Sequence, residues 1–124
     1  QIHKGAERIA RRARKAHRRS HGDIIAPHRH EWRKREKDRL YAALLLGDAW
    51  PGGRRKRRSV SSDLAHALGR ERDTLLLMER LEADPIVSEQ EKAAKRALSA
   101  LTARHAKLAK RADRLGVRVH AGRA

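Results

Sequence analysis

Five side chains between positions 30 and 41 have the types and spacing to hold an oxyanion. His30, Arg33, Lys34, Lys37 and Tyr41 recur at intervals of three and four. At about 100° per residue a helix brings them to one side. A guanidinium offers a planar fork of donors and an ammonium a compact charge, so the row suits phosphate oxygens. Glu31, Glu36 and Asp38 project away from it and leave it largely un-neutralised. A second row, Arg8, Arg12, Lys15 and Arg19, repeats at four, three and four without an acid in the series. Like charges so placed weaken a helix by roughly a few tenths of a kcal/mol per pair. Such rows serve either as solvated faces or as anion contacts, and spacing alone leaves both open.

Other chemistries find little support. The chain has no Cys, which removes thiolate and disulfide chemistry. His17 and His21 are one helical turn apart and His28 and His30 are close, yet no HExxH and no acid cluster completes a zinc site. His105 falls on an apolar stripe and reads as a hydrogen-bonded core residue. Ser59, Ser61 and Ser62 lack a base and fit helix-capping roles. Glu79, Glu82 and Asp84 sit at a helix end without acid–base spacing, and no Gly-rich phosphate loop is present. The expectation is a non-enzyme with no metal and no cofactor.

The elements that must position these rows are helices. At 124 residues the chain is one domain. Lys and Arg outnumber Asp and Glu by 32 to 15, a net charge of +17. Residues 1–60 hold 19 basic and 6 acidic side chains, residues 61–124 hold 13 and 9. Such a surface attracts polyanions. No apolar run approaches a membrane span, so insertion is not expected. The first helix runs from Ile2 to Arg19, with Ile2, Ala6, Ile9, Ala13 and Ala16 on one face. The second starts at Pro27 or His28 and stops at Leu46 before Gly47, with Trp32, Leu40 and Ala43 inward and Arg39 snorkelling. Trp50–Gly53 is a turn, and Arg54–Arg58 a solvated or anion-touching run. The third helix begins among Ser59–Ser62 and ends before Asp84-Pro85, with Val60, Leu64, Ala67, Leu68, Leu75 and Met78 as its stripe; Gly69 within it suggests close backbone approach. The fourth opens on a Ser88/Glu91 capping box. Its stripe is Ala94, Leu98, Leu101, His105, Leu108, Ala112 and Leu115, and it is capped at Gly116. Four such helices pack most simply as an all-α antiparallel four-helix bundle over residues 1–116, leaving 117–124 as a loose tail.

At the opening segment the chain resembles the CHAD family, the conserved histidine α-helical domain. His30-x-x-Arg33-Lys34-x-x-Lys37-x-x-x-Tyr41 looks like its signature. Ala49-Trp50-Pro51 and Leu68-Gly69-x-x-x-Asp73-x-x-x-Leu77 follow in the family's order. The likeness spans residues 28–82. Arg39-Leu40 reverses the order usual in the family. The resemblance implies non-catalytic binding of inorganic polyphosphate by basic side chains, in the cytoplasm at polyphosphate granules. It also implies that Asp73 aims an Arg of the second helix; otherwise Asp73 is a surface acid. The family places two bundles around a basic channel. This chain resembles the C-terminal bundle alone, so a homodimer would complete the arrangement.

Charge alone fits a nucleic-acid-binding helical protein as the alternative, although Trp32, Trp50 and Tyr41 are few partners for base stacking. A third reading is a structural helical protein with an incidental basic face. Binding of one polyanion by both rows requires Arg8, Arg12, Lys15 and Arg19 to border the same surface as Arg33 and Lys37. Helix rotation, which decides this, is not set by periodicity.

Overall fold

The computed structural model describes residues 2–21, 26–47, 50, 55–83 and 91–121, with the side chains of 2–3 and 55–58 excepted. The described residues form four helices: α1 (Ile2–Ser20), α2 (Ala26–Leu46), α3 (Arg55–Ala83) and α4 (Glu91–Ala121). Each packs on the next as an antiparallel neighbour, giving the expected all-α four-helix bundle. Pro51–Arg54, Asp84–Pro85 and Ser88 lie outside the described residues, and with them most of the turn and the capping box.

Two apolar clusters hold the helices. In one, fully buried Trp32 meets Ala16, Leu64, Ala67, Leu68, Ala112 and Leu115, with Val60 and Val119 at its edge. In the other, Ala6, Ala10, Ala43 and Trp50 pack with Ile9, Ala42 and Leu46. The inner face of α1 is almost entirely Ala: Ala6, Ala10, Ala13 and Ala16 are all buried. Small side chains let α2 approach closely, but they contribute little apolar area. The core is correspondingly thin.

Polar groups fill what the apolar residues leave. The buried face of α2 is Arg29, Trp32, Glu36, Arg39, Leu40 and Ala43. Arg29 uses all five of its N–H donors. Nε and Nη2 donate to the two oxygens of Glu71 at 2.9 and 2.6 Å. Nη1 donates to Asp113 Oδ1 at 2.6 Å and to the Ser20 carbonyl at 3.0 Å. Nη2 also reaches the Ala109 carbonyl at 3.3 Å. One guanidinium thus joins all four helices, stacked 4.9 Å over the Trp32 ring. Burial lowers the pKa of Arg29, but the two carboxylates outweigh it and raise the value above its ordinary level.

Glu36, 1 % exposed, forms a second centre. Its Oε2 accepts from Trp32 Nε1 at 2.8 Å and lies 2.7 Å from His120 Nε2. Its Oε1 accepts from Arg39 Nε at 3.0 Å, and Arg39 Nη2 donates to Ser61 Oγ at 2.6 Å. Arg39 therefore does not snorkel to solvent: its head group is buried against Glu36. Burial works to raise the Glu36 pKa, but the His120 bond, the Arg39 charge and the Trp32 N–H together hold it below the usual carboxylate value.

Two helix boundaries differ from expectation. α3 begins at Arg55, inside the basic run, so Ser61 is a helix-interior group rather than a cap. α4 continues through Gly116 to Ala121, so residues 117–121 are not a loose tail; 122–124 lie outside the described residues. The reason is packing. A Cβ at Gly116 would stand 2.7 Å from both His17 Cδ2 and Trp32 Cζ2. The glycine is there to let α4 close on α1 and α2, and the turn beyond it supplies Val119 and His120 to the core. The close approach expected at Gly69 is found here instead. Gly47, with φ of +56°, ends α2 in the left-handed conformation as its position suggests.

The outer ends of α3 and α4 stand apart from this core. No described residue of α4 before Leu108 is buried, nor any of α3 after Thr74. The stripe residues Leu75, Met78, Ala94, Leu98 and Leu101 are only half-covered, and Leu76 and Leu77 are exposed.

Candidate functional site

The antiparallel pairing of α2 with α3 sets Arg29 opposite Glu71 and Arg39 opposite Ser61. Between these two fixed points the helices leave a groove of about 330 Å³. Arg33, Lys37 and Tyr41 line it from α2, and His66, Gly69, Arg70 and Asp73 from α3. Arg33 reaches the surface of α3 beside Gly69; its Nε would be 3.9 Å from a Cβ there. That Nε is shielded from solvent and has no hydrogen-bond partner. Lys37 Nζ stands 5.9 Å over the Tyr41 ring, an aromatic face that is mostly exposed. The groove holds three fixed cations against one carboxylate.

His30 lies one turn before Arg33, beside a small cavity it shares with Arg29, Arg72 and His105. Its Nδ1 is also shielded and without a partner. Burial, then the charges of Arg72, Lys34 and Arg33, push its pKa down, so the imidazole is neutral at pH 7. His105 is half-buried rather than a core residue. Lys34 points away from the groove: its side chain is 55 % exposed and its Nζ is 3.8 Å from Glu31.

Asp73 is exposed at the groove, and no ion pair joins it to Arg33 or Arg70 among the described residues.

The second basic row is elsewhere. Arg12, Lys15 and Arg19 line a groove between α1 and α2 together with Glu31 and Arg35. Glu31 accepts from Arg35 Nε at 2.8 Å, and Asp38 lies 3.7 Å from the same guanidinium. Arg8 is exposed on α1 one turn before Arg12. Residues 33 and 35 lie on opposite sides of α2, about 200° apart, so the α1 row does not border the surface of Arg33 and Lys37. The expected convergence fails for a geometric reason: α2 itself stands between the two rows.

The basic side chains next to the α2–α3 groove belong to α3 and α4 instead. Beyond Arg70, a larger groove of about 580 Å³ runs between those helices, and Arg104, Lys107, Lys110, Arg111 and Arg114 line it. His66 and Arg70 border both grooves. The spacing of 104, 107, 111 and 114 was readable as a row in the sequence. The apolar stripe that runs beside it on the same helix masks it.

His17 and His21 meet edge to face with ring centroids 5.3 Å apart, and His17 stacks on His120 at 5.0 Å. No group of three or more His, Asp or Glu side chains among the described residues is placed to hold a metal ion. No described helix is long and apolar enough to cross a membrane. Comparison with family models, with curated proteins and with solved structures gives no match.

Proposed function

We propose that this protein binds inorganic polyphosphate without transforming it, in the cytoplasm at polyphosphate granules, and that the α2–α3 groove is the seat of binding. The observation that carries this reading is Arg33. Its guanidinium lies beside Gly69 in a groove shared with Lys37 and Arg70, and its Nε–H has no partner within the protein. A shielded donor without an acceptor is costly. A phosphate oxygen supplies the acceptor in a charge-assisted bond. Successive phosphates of one chain then meet Arg33, Lys37 and Arg70 in turn, and each contact releases counterions.

Burial of both tryptophans, Trp32 at 0 % and Trp50 at 7 % exposure, favours a bare phosphate chain over nucleic acid. Tyr41 is then the one exposed aromatic among the described residues, where single-stranded nucleic acid binding relies on several stacking platforms.

The test is a titration with long-chain polyphosphate of the wild type, of Arg33→Gln/Lys37→Gln, and of Lys92→Gln/Lys95→Gln as a charge-matched control on the far turn of α4. Loss of about tenfold or more in the first variant and under about twofold in the control is expected. Equal losses would reduce the binding to bulk charge. Single-stranded DNA added at equal phosphate concentration should leave the polyphosphate bound; displacement would favour nucleic acid as the ligand.

A further inference from the structure

We infer that a bound polyphosphate chain does not end in the α2–α3 groove but crosses α3 and continues in the α3–α4 groove, so that α4 carries a second part of the binding surface. This rests on the polyphosphate reading of the first groove.

The seam is His66 and Arg70, which border both grooves. A chain leaving Arg33 and Lys37 therefore meets Arg70 and passes directly onto Arg104, Lys107, Arg111 and Arg114. These four recur at three, four and three along α4. They span eleven residues of helix, about 15 Å from first to last. All four are exposed, as is Lys110 beside them, and no carboxylate lines this groove. The carboxylates nearest in sequence are turned the other way. Glu71, next to Arg70, and Asp113, next to Arg114, both reach inward to the buried guanidinium of Arg29. The same hub that locks the four helices thus takes these two acids away from the groove and leaves its cations uncompensated by any lining group. Stacked like charges weaken α4. A polyanion laid along them removes that repulsion.

A two-groove footprint makes affinity depend on chain length. Tripolyphosphate, too short to occupy both grooves, gains nothing from the second once it sits in the first. A long chain engages both, and the second groove acts at high effective concentration. Because the α4 cations are exposed, their removal leaves the fold intact; the thermal midpoint of each variant checks this.

The experiment compares wild type, Arg104→Gln/Arg111→Gln/Arg114→Gln and Arg33→Gln/Lys37→Gln for binding of tripolyphosphate and of long-chain polyphosphate. The α4 triple variant should lose about tenfold or more in long-chain affinity, with its salt slope reduced in magnitude by about 2. It should change tripolyphosphate binding by far less, while the corresponding triple Lys variant keeps most of the long-chain affinity. If the α4 triple variant binds the long chain as wild type does while Arg33→Gln/Lys37→Gln loses it, the crossing is wrong and the first groove stands alone. If neither variant loses affinity, the first groove is not the site and the inference falls with it.

Discussion

At the residue scale, the buried charges dominate what this small core can do. Arg29 is matched donor for donor, and removing it leaves Glu71 and Asp113 facing each other in the interior. Arg29→Met should therefore cost about 3–5 kcal/mol of unfolding free energy in urea titration. Arg29→Met/Glu71→Leu should recover part of that loss, because one orphaned charge goes with it. A cost below about 1 kcal/mol for the single change would show that solvent reaches the site. The histidine cluster sets the acid limit. His17 is held neutral, its pKa lowered to about 4 by burial and by His120 and His21. The unfolded chain takes up that proton near its ordinary value of 6.5, so this part of the stability is lost as pH falls from there towards 4. Glu36, held below its usual pKa, contributes stability above the unfolded carboxylate value that is lost as pH falls through its folded one. Both act in the same direction, and thermal midpoints should drop between pH 6.5 and 4 by less in His17→Phe than in wild type. His30 behaves oppositely towards ligand. A polyphosphate beside it offsets the cations that lower its pKa, so binding should draw in protons and tighten from pH 8 to pH 6. His30→Gln should flatten that dependence.

At the element scale, the helices were legible where apolar residues carried the pattern and illegible where charges did. The start of α1, the end of α2 at Gly47 and the stripe Leu64, Ala67, Leu68 all follow from periodicity and stop signals. The core face of α2 does not, because Arg29, Glu36 and Arg39 occupy inward positions that hydropathy assigns to solvent. No one-dimensional pattern shows that three charges at these positions will find Glu71, Asp113, His120 and Ser61 on other helices. Gly116 misleads for a related reason. A glycine near a helix end reads as a cap, yet its role is contact with His17 and Trp32. Gly116→Ala should consequently cost about 1–3 kcal/mol despite its gain in helix propensity. Gly69→Ala, whose new methyl meets only ordinary contact with Arg33, should be stabilising or neutral. Chemical denaturation of the two variants tests the contrast, and equal effects would place the close packing elsewhere.

At the scale of the whole molecule, relative helix rotation decides which basic rows meet, and the sequence carries no direct record of it. Arg33, Lys37 and Tyr41 share the groove that their spacing suggested, whereas Arg12, Lys15 and Arg19 face a separate one across α2. Their place is taken by His66 and Arg70, and beyond them by the α4 row. The outer turns of α3 and α4, without a buried residue, should open locally at low cost. Amide exchange is expected to be fast over 76–83 and 92–103 and slow over 61–72 and 108–116; uniform protection would contradict the split. The most direct measurement concerns the arginine side chains themselves. In ¹H–¹⁵N spectra at about 0.15 M salt, the Nε–H resonance of Arg33 should move together with that of Arg70 at the first additions of polyphosphate, while those of Arg12 and Arg19 stay in place. Early movement of Arg12 and Arg19 with Arg33 unchanged would contradict a binding seat between α2 and α3.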